Sequence, residues 1–244
     1  MTASTVIEPL GDFGLLVRLG DAIDLDINRR VHALAALLEA TAPEWIADIV
    51  PAYASLAVLI DPHALDSPVR QDSAALEQAE RWLREALSAD ASTQDDAASL
   101  SACEIPVCYG GEFGPDLQSL AEQTGLSIDQ VIAKHSAAEY RVGLIGFAPG
   151  FPYLLGMDPA LALPRLATPR TRVPAGSVAI GGAQTGIYPR ESPGGWRVIG
   201  RTPVSLFDAS RQPPARLRPG QRVRFVPVGE ETFEQLRRRP GSGA

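Results

Sequence analysis

The chain has 244 residues, 45% of them hydrophobic and 21% charged, a balance that suits a globular protein with a sizeable core and excludes a disordered or fibrous one. The formal net charge of −7 is unevenly spread: residues 1–102 hold seventeen acidic against six basic side chains, residues 103–244 twelve against sixteen. The negative total without any basic cluster argues against nucleic acid as a partner, no apolar run approaches the ~20 residues of a membrane helix, and the first twenty residues lack a secretory pattern, so a cytoplasmic location is expected.

In chain order, residues 4–9 and 13–19 have short strand character. Asp24 or Asp26 can cap a helix whose Ile27, Val31, Leu34 and Leu38 form one stripe. Residues 45–60 read as two strands around Pro51 or as one broken strand. A second helix is expected over 68–88, with Leu76, Ala79, Leu83 and Leu87 on one face. Two helices on a sheet of about four strands is the simplest small α/β domain over 1–88. The segment 89–101, ADASTQDDAASLS, is small, polar and aperiodic and reads as a linker.

A second domain is expected over 102–244. It starts with a strand at 103–109, in which Cys103 and Cys108 are five apart and face opposite sides, a spacing that suits neither a local disulfide nor a metal pair. A helix opens at Pro115 and stops at Gly125. Ser127 caps another, with Ile128, Val131 and Ile132 inward and His135 at the same helical spacing. Short apolar runs then alternate with Gly/Pro turns at 140–147, 176–181, 186–188, 196–200, 203–207 and 222–228. That pattern predicts a closed or nearly closed β-barrel, and an α+β class for the whole chain. Residues 230–239 read as a short basic helix.

Several chemistries are excluded. Lys134 is the sole lysine and follows Ala133, so there is no P-loop. GGAQTG at 181–186 lacks the dinucleotide spacing. His32, His63 and His135 are far apart and lack metal-ligand spacing. There is no G-x-S-x-G elbow and no biotin-carrier setting.

What remains is concentrated in residues 141–207. Residues 141–224 hold twelve Arg against Asp158, Glu191 and Asp208, a composition suited to an anionic ligand. FAPGFPYL places Phe147, Phe151 and Tyr153 around a Pro149-Gly150 turn, read either as an aromatic wall with exposed amides or as a self-packed barrel corner. Arg165, Arg170 and Arg172 stand between stiffening prolines and are candidates for anion binding. SPGGW reads as a type II turn joining two barrel strands, presenting Ser192 beside Trp196. Gln184, Thr185 and Tyr188 add groups that orient a polar substrate. His135 is read as a satisfied inward histidine or, if it reaches the barrel mouth, as the general acid–base.

The succession His135, GFAPGFPYL, PR-x3-PR-x-RVP, GSVAIGGAQTGIYP, SPGGW, IGRTP and LFD resembles the subunit 1 family of allophanate hydrolase-like proteins, over roughly residues 5–228 and densely over 135–208. It is most like the bacterial 5-oxoprolinase branch; a sporulation-kinase inhibitor and part of the urea carboxylase carboxyltransferase region belong to the same family. The resemblance implies a cyclophilin-like β-barrel behind a small α/β domain. It implies a homologous barrel subunit as partner, of the 5-oxoprolinase C type or the allophanate hydrolase subunit 2 type, with a third lactam-utilisation subunit. The implied reaction is ATP-dependent opening of 5-oxoproline to glutamate, by a chain that is inactive alone. Within the matching motifs the candidates are His135, Tyr153, Gln184 and Ser192 for catalysis. Phe147, Phe151, Arg165, Arg170, Arg172, Tyr188, Trp196 and Arg201 are candidates for binding a small anionic substrate. Alternatives are an allophanate hydrolase or carboxyltransferase-type subunit and an inhibitor of a sensor histidine kinase.

Overall fold

A computed structural model describes residues 5–64, 72–88 and 102–238 and divides the chain into two units, Met1–Ser99 and Leu100–Ala244. The expected linker at 89–101, residue 4 of the first expected strand, residues 68–71 of the second expected helix and residue 239 of the last lie outside the described residues.

In the N-terminal unit, alternation of apolar and polar residues makes strands that bury one face. They are β1 (Val6–Pro9), β2 (Gly14–Arg18), β3 (Ile46–Pro51) and β4 (Ser55–Ile60), paired antiparallel in the order β1-β2-β4-β3. Leu56, Val58 and Ile60 of β4 alternate into the core. Helix α1 (Leu25–Thr41) is capped by Asp24, whose carboxylate accepts the amides of Asp26 and Ile27 at 2.9 and 3.0 Å. Its Val31, Leu34 and Leu38 join Ala79 and Leu83 of α2 (Asp72–Ser88) in one apolar cluster over the sheet.

In the C-terminal unit seven strands close into a barrel. They are β5 (Cys103–Tyr109), β6 (Tyr140–Ile145), β7 (Pro152–Leu155), β9 (Ser177–Gly181), β10 (Gln184–Ile187), β12 (Arg197–Arg201) and β13 (Arg222–Pro227), in the order β10-β7-β6-β13-β5-β12-β9. The β5–β13 pair is parallel and the others are antiparallel. Two further strands, β8 (Arg170–Val173) and β11 (Ser192–Gly194), form a separate ribbon. The interior is filled by side chains, as in other small barrels: Ile105, Val107, Val142, Leu154, Val178, Ile180 and Ile199. Helices α3 (Leu117–Thr124) and α4 (Ile128–Ala137) add Leu117, Leu120 and Val131 to the same core.

Some expectations are corrected. Helix α3 begins at Leu117 rather than Pro115, and Asp116 does not cap it because its carboxylate is engaged elsewhere. Helix α4 keeps the predicted cap, with a reciprocal Ser127–Gln130 capping box, but Ile128 is 38% exposed. Residues 203–207 form no strand. Pro203 lacks an amide hydrogen, the Leu206 carbonyl accepts from Arg216, and Phe207 pairs with Ala215, so the segment bonds to its own returning loop. Ser192–Gly194 is a strand of the outer ribbon, not a turn between barrel strands. Helix α5 (Glu230–Arg237) is not basic; Glu230 and Glu231 open it and Arg237 ends it, the order a helix dipole favours. Cys103 packs on the barrel core, whereas Cys108 packs with Phe113 and Phe233, and both are free thiols. No described helix is long and apolar enough to cross a membrane.

Candidate functional site

The candidate residues fall into three places. His135 lies inside the barrel, with no exposed surface. Its Nδ1 is 2.8 Å from the Tyr109 hydroxyl and its Nε2 3.0 Å from Thr185 Oγ1. Thr185 donates its own proton to the Ala179 carbonyl at 3.0 Å, so it can only accept from His135. Nε2 therefore carries the hydrogen, and Nδ1 accepts from Tyr109. Phe225 stacks on the imidazole at 4.5 Å, and Tyr140 donates to the His135 carbonyl at 2.8 Å. Burial without a countercharge pushes the imidazole pKa down to about 3, and burial raises the Tyr109 and Tyr140 phenols. This neutral, fully bonded ring ties α4 to β5 and β10. It does not reach the barrel mouth, which was the condition for an acid–base role.

A second group covers the outer face of β7, β9, β10 and β12. Phe151, Tyr188 and Trp196 are 2%, 2% and 5% exposed; Phe151 packs edge to face with Tyr188 and Trp196, and half-buried Tyr153 packs edge to face with Trp196 and tilted on Phe151. Trp196 lies over Gly181, where an added Cβ would sit 2.6 Å from ring atoms. Val173 of the ribbon completes this second small core. The Arg165 guanidinium stands 5.7 Å from the Trp196 ring centroid. Phe147 is different. It is 63% exposed, has a left-handed φ of 64°, and leans on Phe151 and Tyr188. The self-packed corner accounts for Phe151, Tyr188 and Trp196, and leaves Phe147 at the surface.

The third place is a cleft of about 810 Å³ at one end of the barrel. It is lined where three of the sequence motifs converge: Gly176 and Pro189 of GSVAIGGAQTGIYP, Arg201 and Thr202 of IGRTP, and Phe207 and Asp208 of LFD, with Arg190 directly after Pro189. The backbone of Gly150, in FAPGF, passes close to Leu206 and Phe207 and brings the Phe147 loop beside it. Phe113, Phe233 and Glu234 line the cleft too, the last two from α5.

Ion pairing sorts the arginines. Arg170 makes a two-pronged pair with Asp116 at 2.7 and 2.8 Å, and the same carboxylate accepts the Val198 amide at 2.7 Å. Asp116 thus joins the start of α3 to β8 and β12. Arg172 pairs with Glu191 across the ribbon at 2.9 and 3.0 Å. That pair sits at the cleft rim, since Glu191 lines the cleft and Ser192 follows it. Gln184 begins β10 at the end away from Pro189 and Arg190. Of the twelve candidates, only Arg201 lines the cleft itself.

Sequence reasoning missed Tyr109, Asp116 and Arg190. The partners of His135 are 26 and 50 residues away, so no local spacing marks them. An Asp just after Pro115 reads as a helix start, which hides its service to Arg170.

Residues 5–217 match the family described as carboxyltransferase domain, subdomain C and D. The chain is 43% identical to the B subunit of 5-oxoprolinase from Bacillus subtilis (strain 168), covering 96% of this chain and 97% of that one. It is 41% identical to the corresponding B subunit of 5-oxoprolinase from Escherichia coli O157:H7, over 91% and 95%. Among solved structures, TTHA0988 superposes with a TM-score of 0.75 at 40% identity over 88% of this chain, which spans 40% of that longer one.

Proposed function

Because the chain belongs to the carboxyltransferase-domain family of subdomains C and D, we propose that it is a subunit of an ATP-dependent 5-oxoprolinase that hydrolyses 5-oxo-L-proline to L-glutamate with partner subunits. The observation that carries this reading is 43% identity along 97% of a 5-oxoprolinase B subunit. In the reaction the lactam C–N bond breaks, water oxygen joins the carbonyl carbon to make the side-chain carboxylate, and the ring nitrogen leaves as an amine. ATP is cleaved to ADP and phosphate.

The cleft at the barrel end is the proposed contribution of this chain to the site. Three features support it: convergence of the motif loops, arginine side chains, and a volume far beyond a single five-membered lactam, which leaves room for a partner's groups. The cleft does not fit ATP. Arg190, Arg201 and Arg237 face four carboxylates, Glu112, Glu191, Asp208 and Glu234, and no lysine lines it. The only lysine, Lys134, is paired with Asp158 at 2.6 Å. ATP is therefore assigned to another subunit.

The test is reconstitution. The chain, a homologous barrel subunit and a lactam-utilisation subunit are mixed with 5-oxoproline and ATP, and glutamate and ADP are measured together. Glutamate formation is expected only in the complete mixture. Full activity from this chain alone, or none from a verified assembly, overturns the proposal. Turnover of allophanate in place of 5-oxoproline would transfer the chain to the alternative activity of its resemblance.

A further inference from the structure

Resting on the 5-oxoprolinase reading, we propose that Arg201 forms a carboxylate subsite in the barrel-end cleft and selects cyclic amides that carry a carboxylate. Its place in the fold is built rather than incidental. Arg201 ends β12, and its register partner on β9 is Ser177, so the two share one cross-strand rung. The aliphatic stem runs beside Gly176. A Cβ there would lie 3.3 Å from Arg201 Cγ and 2.3 Å from the Thr202 carbonyl oxygen, and φ is +78°, so glycine is what lets this loop close on the strand end. The guanidinium stands 5.7 Å from the Phe113 ring centroid, and Phe113 packs at 4.7 Å on Phe233 of α5. The fork is thus held on an aromatic shelf, which reduces the ordering cost of binding.

Its partners are the second observation. Arg170, Arg172 and Arg237 are each engaged by a carboxylate of this chain. Among the described residues Arg201 has none. Its buried Nε and the buried Ser177 Oγ, opposite each other on the rung, both lack a hydrogen-bond partner in the chain. Buried polar groups are normally satisfied, and the chain satisfies neither of these; of the two residues only Arg201 lines the cleft, so its guanidinium is the group left for a ligand. Two of the four acids lining the cleft are already paired with arginine. Glu191 is held by Arg172, Glu234 by Arg237, and Asp208 by the Ser210 amide and hydroxyl at 2.9 and 2.6 Å. That leaves Glu112 and the still ionised Asp208 against Arg201 and Arg190, a balanced cleft in which Arg201 has no carboxylate of its own. A planar guanidinium matches a carboxylate or a phosphate; the substrate proposed here supplies the carboxylate.

The experiment compares 5-oxoproline with 2-pyrrolidinone, the same lactam without its carboxylate, on the reconstituted complex with wild-type chain, Arg201→Gln and Arg201→Lys. Co-elution of the subunits establishes that each variant assembles. Binding is read by calorimetry and turnover by glutamate or 4-aminobutyrate release. Wild type is expected to prefer 5-oxoproline. Arg201→Gln raises Kd and KM for 5-oxoproline roughly 10- to 100-fold, the range of a charge-assisted contact, leaves 2-pyrrolidinone unchanged, and Arg201→Lys restores part of the loss. Equal effects on the two lactams, or no effect, overturn the subsite. So does displacement of 5-oxoproline by inorganic phosphate at matched concentration, which would make it a phosphate site. Absence of lactam turnover with Arg201-dependent 5-oxoproline binding intact would refute the oxoprolinase reading and support the subsite.

Discussion

Replacing His135 with glutamine should abolish a specific acid sensitivity of the barrel. Glutamine can offer a carbonyl to the Tyr109 hydroxyl and an amide N–H to Thr185, and it does not titrate. In the wild type the folded imidazole has its pKa pushed down to about 3, against 6.5 for the free group, because it is buried without a countercharge. The unfolded chain therefore binds more protons below pH 6.5, and the stability contributed by the neutral ring is lost as pH falls from 6.5 toward about 3. The slope is half developed at pH 6.5 and fades within about one unit above it. From pH 7 to pH 5 the unfolded imidazole goes from about a quarter to nearly fully protonated while the folded ring stays neutral, which lowers unfolding free energy by about 2 kcal/mol at 1.36 kcal/mol per unit. Asp158 and Asp208 are held below the ordinary carboxylate value by Lys134 and Ser210, so their losses begin at lower pH. Urea titrations at several pH values read the effect, with Trp45 and Trp82 changed to Phe so that Trp196 alone reports the barrel. The His135→Gln chain should lose the slope between pH 7 and pH 5. An unchanged slope in that variant would refute the buried, neutral assignment.

Two further outcomes follow from packing. Asp116→Asn removes the charge that Arg170 and the Val198 amide share at a site with 9% side-chain exposure for Asp116 and 33% for Arg170, and should cost about 2–4 kcal/mol in urea unfolding. Gly181→Ala places a methyl 2.6 Å from Trp196 ring atoms, so the indole must move; a loss of about 1–3 kcal/mol with a red shift of Trp196 emission is expected.

The N-terminal unit was largely legible because its signals are local. Asp24 stands where a cap is needed, and Val31, Leu34 and Leu38 keep helical period. The barrel was legible as a class, since short apolar runs between Gly and Pro admit few other solutions. Strand β7 was lost inside FAPGFPYL, where Pro152 opens a strand of only four residues. Strands β8 and β11 were read as an arginine-bearing loop and a turn, because their pairing partners are supplied by tertiary structure. The site shows the same division. Motif density located the loops that converge at the cleft. Which arginines are already engaged depended on Asp116, Glu191 and Glu234, whose claims on Arg170, Arg172 and Arg237 are fixed by folding. Adjacency of His135 to an apolar stripe indicated burial, but Tyr109 and Thr185 could be identified only once the barrel had closed.

The position of β13 between β5 and β6 has a consequence for synthesis. Strand β5 opens the barrel unit, yet both its neighbours, β12 and β13, are made late. On the ribosome β5 therefore exists without a ladder until Arg197 has emerged, and its second edge stays open until Arg222 to Pro227 are free of the exit tunnel. Such distant pairing slows folding, and an unpaired strand edge is a template for association with other chains. A product terminated before β13 would carry two such edges at once, on β5 and β6. The last strand is thus also the element that ends the nascent chain's exposure to aggregation.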